Sequence, residues 1–202
     1  MPELELTNGY YDLPKGKLVN LVTCLEMLNR PELAPVVWPE GYHLAPCNGA
    51  DLASYRQVFR AVGQDLMWFS RLIMPDEALS AILTNPAIES SVLMKGPDAV
   101  GLLELNFAEL PDCELAFFGL VPGEVGSGLG RLLMQEGLNR AWAQKINRLW
   151  VHTCHYDHPK ALSFYQKAGF RPYKTMIEVH DDPRLSGHLP LSSAPHVPLV
   201  KS

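Results

Sequence analysis

The chain contains no dense run of lysine or arginine. Over 202 residues the formal net charge is −5. Binding to nucleic acid needs clustered cations to neutralise phosphates, so it is not expected here. No apolar run approaches the roughly 20 residues that cross a bilayer. The chain opens Met-Pro-Glu-Leu-Glu, with neither a basic region nor an apolar core, so secretion is not expected. Cysteine is scarce: the four residues, at 24, 47, 113 and 154, are too far apart for paired metal-ligand spacing. Cys113 and Cys154 sit in apolar, strand-like runs where a thiol acts as a small hydrophobe. A reducing cytoplasm is the expected compartment. Internal repeats and low-complexity tracts are also missing.

What is present is enough apolar sequence, 47%, for one domain with a sizeable core. Residues 1–35 read as an N-terminal extension in which Leu18–Leu28 is β-leaning. Pro31, Pro35 and Pro39 break regular structure after it. A domain over 36–180 follows. It begins with a strand over Val36–Ala45, then helices over 51–61, with Asp51 as N-cap, and over Asp76–Leu83. A hairpin turns at Gly96-Pro97-Asp98 between Ser90–Lys95 and Ala99–Phe107. Cys113–Val121 is apolar on both faces, which predicts a strand central in its sheet. A helix over Ser127–Gln144, a strand over Arg148–Cys154, a helix over Pro159–Ala168 and a strand over Tyr173–Val179 complete it. Residues 181–202 form a proline-rich tail that wraps the surface or a partner. The order implies an α/β (α+β) fold with a mixed sheet and helices packed on it.

The most informative stretch joins the apolar run Leu115–Val121 to glycines 123, 126, 128 and 130 and then to a helix. Strand, glycine loop and helix start present bare backbone N–H groups to a phosphate. A dinucleotide fingerprint needs Gly-x-Gly-x-x-Gly in an early βαβ unit, and a Walker loop needs Gly-Lys-Ser/Thr; neither is present. By glycine spacing alone, a plain turn is an equally good reading. Gly119 inside the apolar strand tips the balance. A glycine there marks a bulge or a close backbone approach, and a bulge would splay the strand from its neighbour.

Two motifs carry a resemblance. Val125-Gly126-Ser127-Gly128-Leu129-Gly130 resembles the Gln/Arg-x-x-Gly-x-Gly/Ala loop of the GCN5-related N-acetyltransferase (GNAT) superfamily. His158-Pro-Lys-Ala161-Leu-Ser-Phe-Tyr165-Gln-Lys-Ala-Gly169-Phe170 is similar to the family's Asn-x-x-Ala-x-x-x-Tyr-x-x-x-Gly-Phe signature. Val125 and His158 depart from the family's residues at those two places. The resemblance runs from Val36 to Val179 and implies the GNAT fold with splayed central strands. It implies acetyl-CoA as acyl donor, with the pyrophosphate on Gly126, Ser127, Gly128, Leu129, Gly130 and Arg131. The pantetheine arm would pair near Leu120 and Val121, and His158 would cap the last helix or bond that arm.

Direct acetyl transfer to an amine of a small molecule or peptide then needs a base, and an acid helps the leaving thiolate. Glu114, at the start of the central strand, resembles the family's base, with Glu104 in reserve. At the edge of an apolar cleft such a carboxylate is expected to have a raised pKa. Tyr165 lies on an apolar helix face and reads as a core tyrosine; the resemblance makes it the acid. Trp68 and Arg71 follow the first helix, where the family lines its acceptor pocket. His152 and Cys154 share a strand face, but Thr153 and Asp157 complete no ligand set, so no metal is expected. Cys154 as an acyl carrier lacks a base partner. A module that binds acyl-CoA without turnover is the alternative reading; a nicotinamide oxidoreductase is disfavoured by the loop spacing. A homodimer built through the terminal segments is compatible with the sequence.

Overall fold

The computed structural model describes residues 7–32, 34–47, 49 and 51–200. Its strands are β1 (Lys17–Met27), β2 (Tyr42–Pro46), β3 (Ile88–Lys95), β4 (Asp98–Asn106), β5 (Asp112–Leu120), β6 (Arg148–Cys154) and β7 (Arg171–Asp181). The helices are α1 (Leu52–Gly63), α2 (Ser70–Ile73), α3 (Asp76–Leu83), α4 (Leu129–Ala141) and α5 (Ala161–Lys167). The strands form one mixed sheet in the order β2-β3-β4-β5-β6-β1-β7. All pairs are antiparallel except β5 with β6, which the α4 crossover makes parallel. β5 takes the central place that its two apolar faces predict.

Alternation along the strands sorts side chains to two layers. Leu103, Leu105, Cys113, Leu115, Leu149 and Val151 pack against α4 and α5. Leu102 and Phe117 pack on the other face against α1 and α3, through Tyr55, Phe59, Val62 and Leu79. Asp51 caps α1 as expected, its Oδ1 accepting the Ser54 N–H at 2.9 Å. The strand expected from Val36 begins only at Tyr42. The prolines before it lack the N–H a ladder needs, and Tyr42 enters on a turn, donating its N–H to the Pro39 carbonyl at 3.0 Å.

The N-terminal segment, set apart in sequence as an extension, supplies a strand inside the sheet. β1 pairs with β6 from Val22 to Met27 and with β7 from Lys17 to Glu26. Its Val22, Cys24, Leu25 and Met27 are buried. No local signal distinguishes such a strand from one that docks at an edge, because its two partners lie more than a hundred residues away. The tail after β7 is packed as well. Arg184 pairs with Asp182 at 2.8 Å, both buried, and donates to the carbonyls of Val197 (2.8 Å) and Pro198 (3.2 Å). Leu189, Ala194 and Val197 then close on Met67 and Tyr156.

Gly119 does not mark the bulge that its position in the strand suggests. The β4–β5 register slips between Glu104–Phe117 and Leu105–Leu115, which makes Ala116 the extra residue. Gly119 is needed for close approach instead: a Cβ there would lie 2.5 Å from Val62 Cγ1 on α1. Deleting residues 1–28 is expected to abolish the cooperative thermal transition followed by circular dichroism, because β6 and β7 would both lose their common partner. A transition that survives the deletion would show that the sheet closes without β1.

Candidate active site

β5 and β6 pair over three positions, the last being Glu114 with Trp150. Beyond it the strands diverge, and β6 stays paired to β1. The Ala116 bulge turns β5 away just past this point, since an inserted residue bends and twists its strand. Arg148 holds the closed end: Nη1 donates to Asp112 on β5 at 3.0 Å and Nε to Glu26 on β1 at 2.8 Å. Its guanidinium lies 4.5 Å from the Tyr173 ring centre on β7. The result is a fork, open toward the glycine loop, in the middle of the sheet.

The open edge of β5 carries unused backbone groups. Val121 donates its N–H to Val100 at 2.9 Å, and its carbonyl accepts the Glu124 N–H at 3.0 Å. Both groups of Val121 are therefore engaged, against its expected role as a backbone contact. Alternation along the antiparallel ladder turns the backbone groups of Phe118 and Leu120 toward the fork.

In the loop, Gly126 and Gly128 have φ of 91° and 93°, which side chains rarely tolerate. Ser127 donates its hydroxyl to the Glu124 carbonyl at 2.7 Å and accepts the Leu129 N–H at 3.3 Å. The Ser127 N–H points to Glu124 O at 3.4 Å, and that of Arg131 bonds Gly128 O at 3.1 Å. Among the described residues no acceptor meets the N–H groups of Gly126, Gly128 and Gly130. These three donors at the start of α4 make a cradle whose chemistry would suit an anion. Leu129 is a core residue and the Arg131 side chain is exposed.

Sequence reasoning missed what holds this loop. Glu124 accepts from Lys95 Nζ at 2.8 Å and from Tyr42 Oη at 3.0 Å, tying the loop to β2 and β3. Lys95 holds the Glu124 carboxyl below its ordinary range, with Tyr42 assisting. A carboxylate beside the cradle is thereby neutralised. Three partners far apart in sequence leave no motif to find.

Glu114 and Glu104 lie on the same face of the sheet with opposite fates. Glu104 is fully buried and bonded to Arg71 Nη2 and, at 3.0 Å, to Tyr55 Oη. Leaving one charge of such a pair alone costs on the order of 3–5 kcal/mol. Arg71, expected to meet an acceptor, thus spends its charge inside the protein, stacked 5.2 Å from the Phe117 ring centre. Trp68 packs on Phe117 (5.2 Å) and Phe59 (5.4 Å) above β5, as a wall rather than a free contact. Glu114 stays partly open at the fork, with Asn106 Nδ2 at 3.5 Å and His152 Nδ1 at 3.7 Å.

Tyr165 sits on the opposite face, buried, its ring against Phe118 (6.2 Å), Phe164 (5.8 Å) and Phe170 (5.9 Å). Its hydroxyl finds no hydrogen-bond partner among the described residues, and burial pushes the phenol well above its ordinary pKa. His158 stands ahead of α5, its Nδ1 accepting the Lys160 N–H at 3.1 Å, and does not cap the helix, whose N-cap Lys160 makes no side-chain capping bond. The three histidines of this region diverge, for His155 Nδ1 accepts from Leu21 N at 3.0 Å while His152 faces Glu114. Burial pushes the Cys154 thiol up to about 11, far from a thiolate nucleophile at neutral pH.

The sequence model of the acetyltransferase (GNAT) family matches residues 59–170, more than half of the chain. The chain belongs to this family. Solved structures share its fold. A GCN5-related N-acetyltransferase from Sphaerobacter thermophilus is 15% identical with a TM-score of 0.60, covering 81% of this chain and 52% of that one. An acetyltransferase from Thermus thermophilus is 24% identical with a TM-score of 0.51, covering 69% and 96%. A tandem GNAT protein from the clavulanic acid biosynthesis pathway is 15% identical with a TM-score of 0.57, covering 81% and 54%. The GNAT chain thus spans about half the length of the first and third of these. No curated protein matches it. Among the described residues no helix is long and apolar enough to cross a membrane.

The Glu114 carboxylate raises the His152 pKa above the ordinary imidazole value of about 6.5. The pair therefore stabilises the fold fully below about pH 6.5, and that contribution fades as pH rises through the raised value. An NMR titration of the His152 ring should show the elevated midpoint, and Glu114→Gln should return it toward about 6.5. An unchanged midpoint in that variant would remove the pairing.

Proposed function

We propose that this protein is an acetyl-CoA-dependent N-acetyltransferase acting on an amine of a small molecule or peptide. The observation that carries the reading is the fork itself: unused backbone groups of Phe118 and Leu120 on one side and the three-donor glycine cradle at its mouth. An extended amide-bearing arm ending in a pyrophosphate is the ligand chemistry that matches both. The N–H groups of Gly126, Gly128 and Gly130 would hold the pyrophosphate, and Phe118 and Leu120 the arm. When bound, acetyl-CoA supplies an acetyl group activated as a thioester.

Glu114 takes the proton from the incoming ammonium at its carboxylate, leaving a free amine to attack. It is the carboxylate at the fork whose charge is not consumed by an internal arginine, whereas Glu104 is buried and paired. His152, half-exposed beside it, provides a group through which that proton reaches water. Tyr165 keeps its proton at Oη, where it can serve the leaving thiolate; the desolvation that raises its pKa also keeps it neutral. A cytoplasmic location suits the four free cysteines.

Glu114→Gln is expected to lower acetyl-CoA-dependent turnover of an amine panel by about 10²–10⁴-fold. The pH–rate profile should lose its acidic limb while acetyl-CoA still raises the melting temperature. An unchanged profile would remove Glu114 as base; thermal stabilisation by NAD(H) alone would overturn the acetyltransferase reading. Tyr165→Phe should slow turnover by roughly tenfold or more. Because the Tyr165 hydroxyl bonds nothing within the protein, its loss should shift unfolding free energy by less than about 1 kcal/mol. A large stability loss with normal turnover would leave Tyr165 a core residue only.

A further inference from the structure

We propose that β7 pairs edge to edge with β7 of a second copy of this chain, antiparallel about a two-fold axis at Met176. β7 is the last strand of the sheet, and its outer edge pairs with nothing among the described residues. It is eleven residues long, and an unpaired strand of that length is a template for another strand. The tail does not cover it. Asp182 turns back to bond the Gly16 carbonyl at 2.9 Å, and the following residues pack on Met67 and Tyr156. Ile177 and Val179 are 43% and 53% exposed, and Leu21, paired with Ile177 on β1, is 53% exposed.

The strand's own charges choose the partner and the register. A two-fold axis perpendicular to the sheet keeps each side chain on its own face, so one residue must face its own copy. Centred on Lys174 or Glu178, that residue would set like charges opposite each other. Centred on Ile177, Met176 would face Glu178. Centred on Met176, Lys174 of each chain faces Glu178 of the other, giving two reciprocal opposite-charge pairs. Thr175 then faces Ile177, and the two Ile177 side chains become diagonal neighbours. The β1–β7 register slips between Lys174 and Pro172, which leaves Tyr173 as the extra residue. That bulge ends the ladder on one side and limits it to residues 174–178 of each chain.

Sedimentation velocity tests this. The wild-type protein should sediment at twice the chain's mass. Lys174→Glu and Glu178→Lys, each setting two like-charge pairs across the axis, should each weaken the dimer by at least about tenfold. Mixing the two single variants should restore wild-type association, since each supplies the charge the other needs. The double variant K174E/E178K, which reverses both signs in one chain, should dimerise alone. A monomeric wild type, single variants that dimerise like it, a mixture that stays monomeric, or a monomeric double variant would each overturn the proposal.

Discussion

The parallel pairing of β5 with β6 lasts for three positions and then stops, and the site follows from that stop. Arg148 binds β5, β6 and β1 together at the closed end, where its hydrogen bonds reach Asp112 and Glu26. The Ala116 bulge diverts β5 immediately afterward. Between these two constraints the sheet must open. An opened parallel pair leaves backbone donors and acceptors facing a gap, and such groups demand partners. The α4 crossover that makes the two strands parallel also puts a helix start at the mouth of the gap. Strand edge and anion cradle are thus two consequences of one topology.

Electrostatics within the fork are settled by burial. Glu104 and Glu114 share a sheet face, yet Glu104 is closed under Tyr55 and Arg71 while Glu114 sits at the fork beside Asn106 and His152. A buried carboxylate must be paired to be tolerated, which commits Arg71 to the interior. The remaining carboxylate is the one that solvent and a ligand can reach. On the loop the same logic runs in the opposite sense. Glu124 would repel an anion at the cradle, and Lys95 removes that charge by pairing with it.

Much of the fold was legible because its signals are local. The Cys113–Val121 run, the glycine loop and the helix expected over Pro159–Ala168 each carry their periodicity or their turn residues within a few positions. Gly126, Gly128 and Gly130, whose spacing presents bare backbone, keep N–H groups that no acceptor meets among the described residues. Other readings failed where the cause lay elsewhere in the chain. Gly119 was correctly marked as a place where a side chain cannot stand. What excludes the side chain is Val62 on α1, not a bulge. Val121 was expected to face the ligand, and the parity of the β4–β5 ladder turns its backbone inward. Arg71 was expected to face an acceptor, and Glu104, thirty-three residues on, claims it.

By itself the sequence determined the element types, the central place of β5 and the bare backbone of the glycine loop, because these depend on side-chain periodicity and on where glycine stands. The tertiary structure alone decided that residues 17–27 lie between β6 and β7, that Ala116 opens the fork, and that Glu114 rather than Glu104 stays accessible. Strand order, register and burial arise from contacts between distant segments. No short window of residues encodes which partner a strand or a charge will meet.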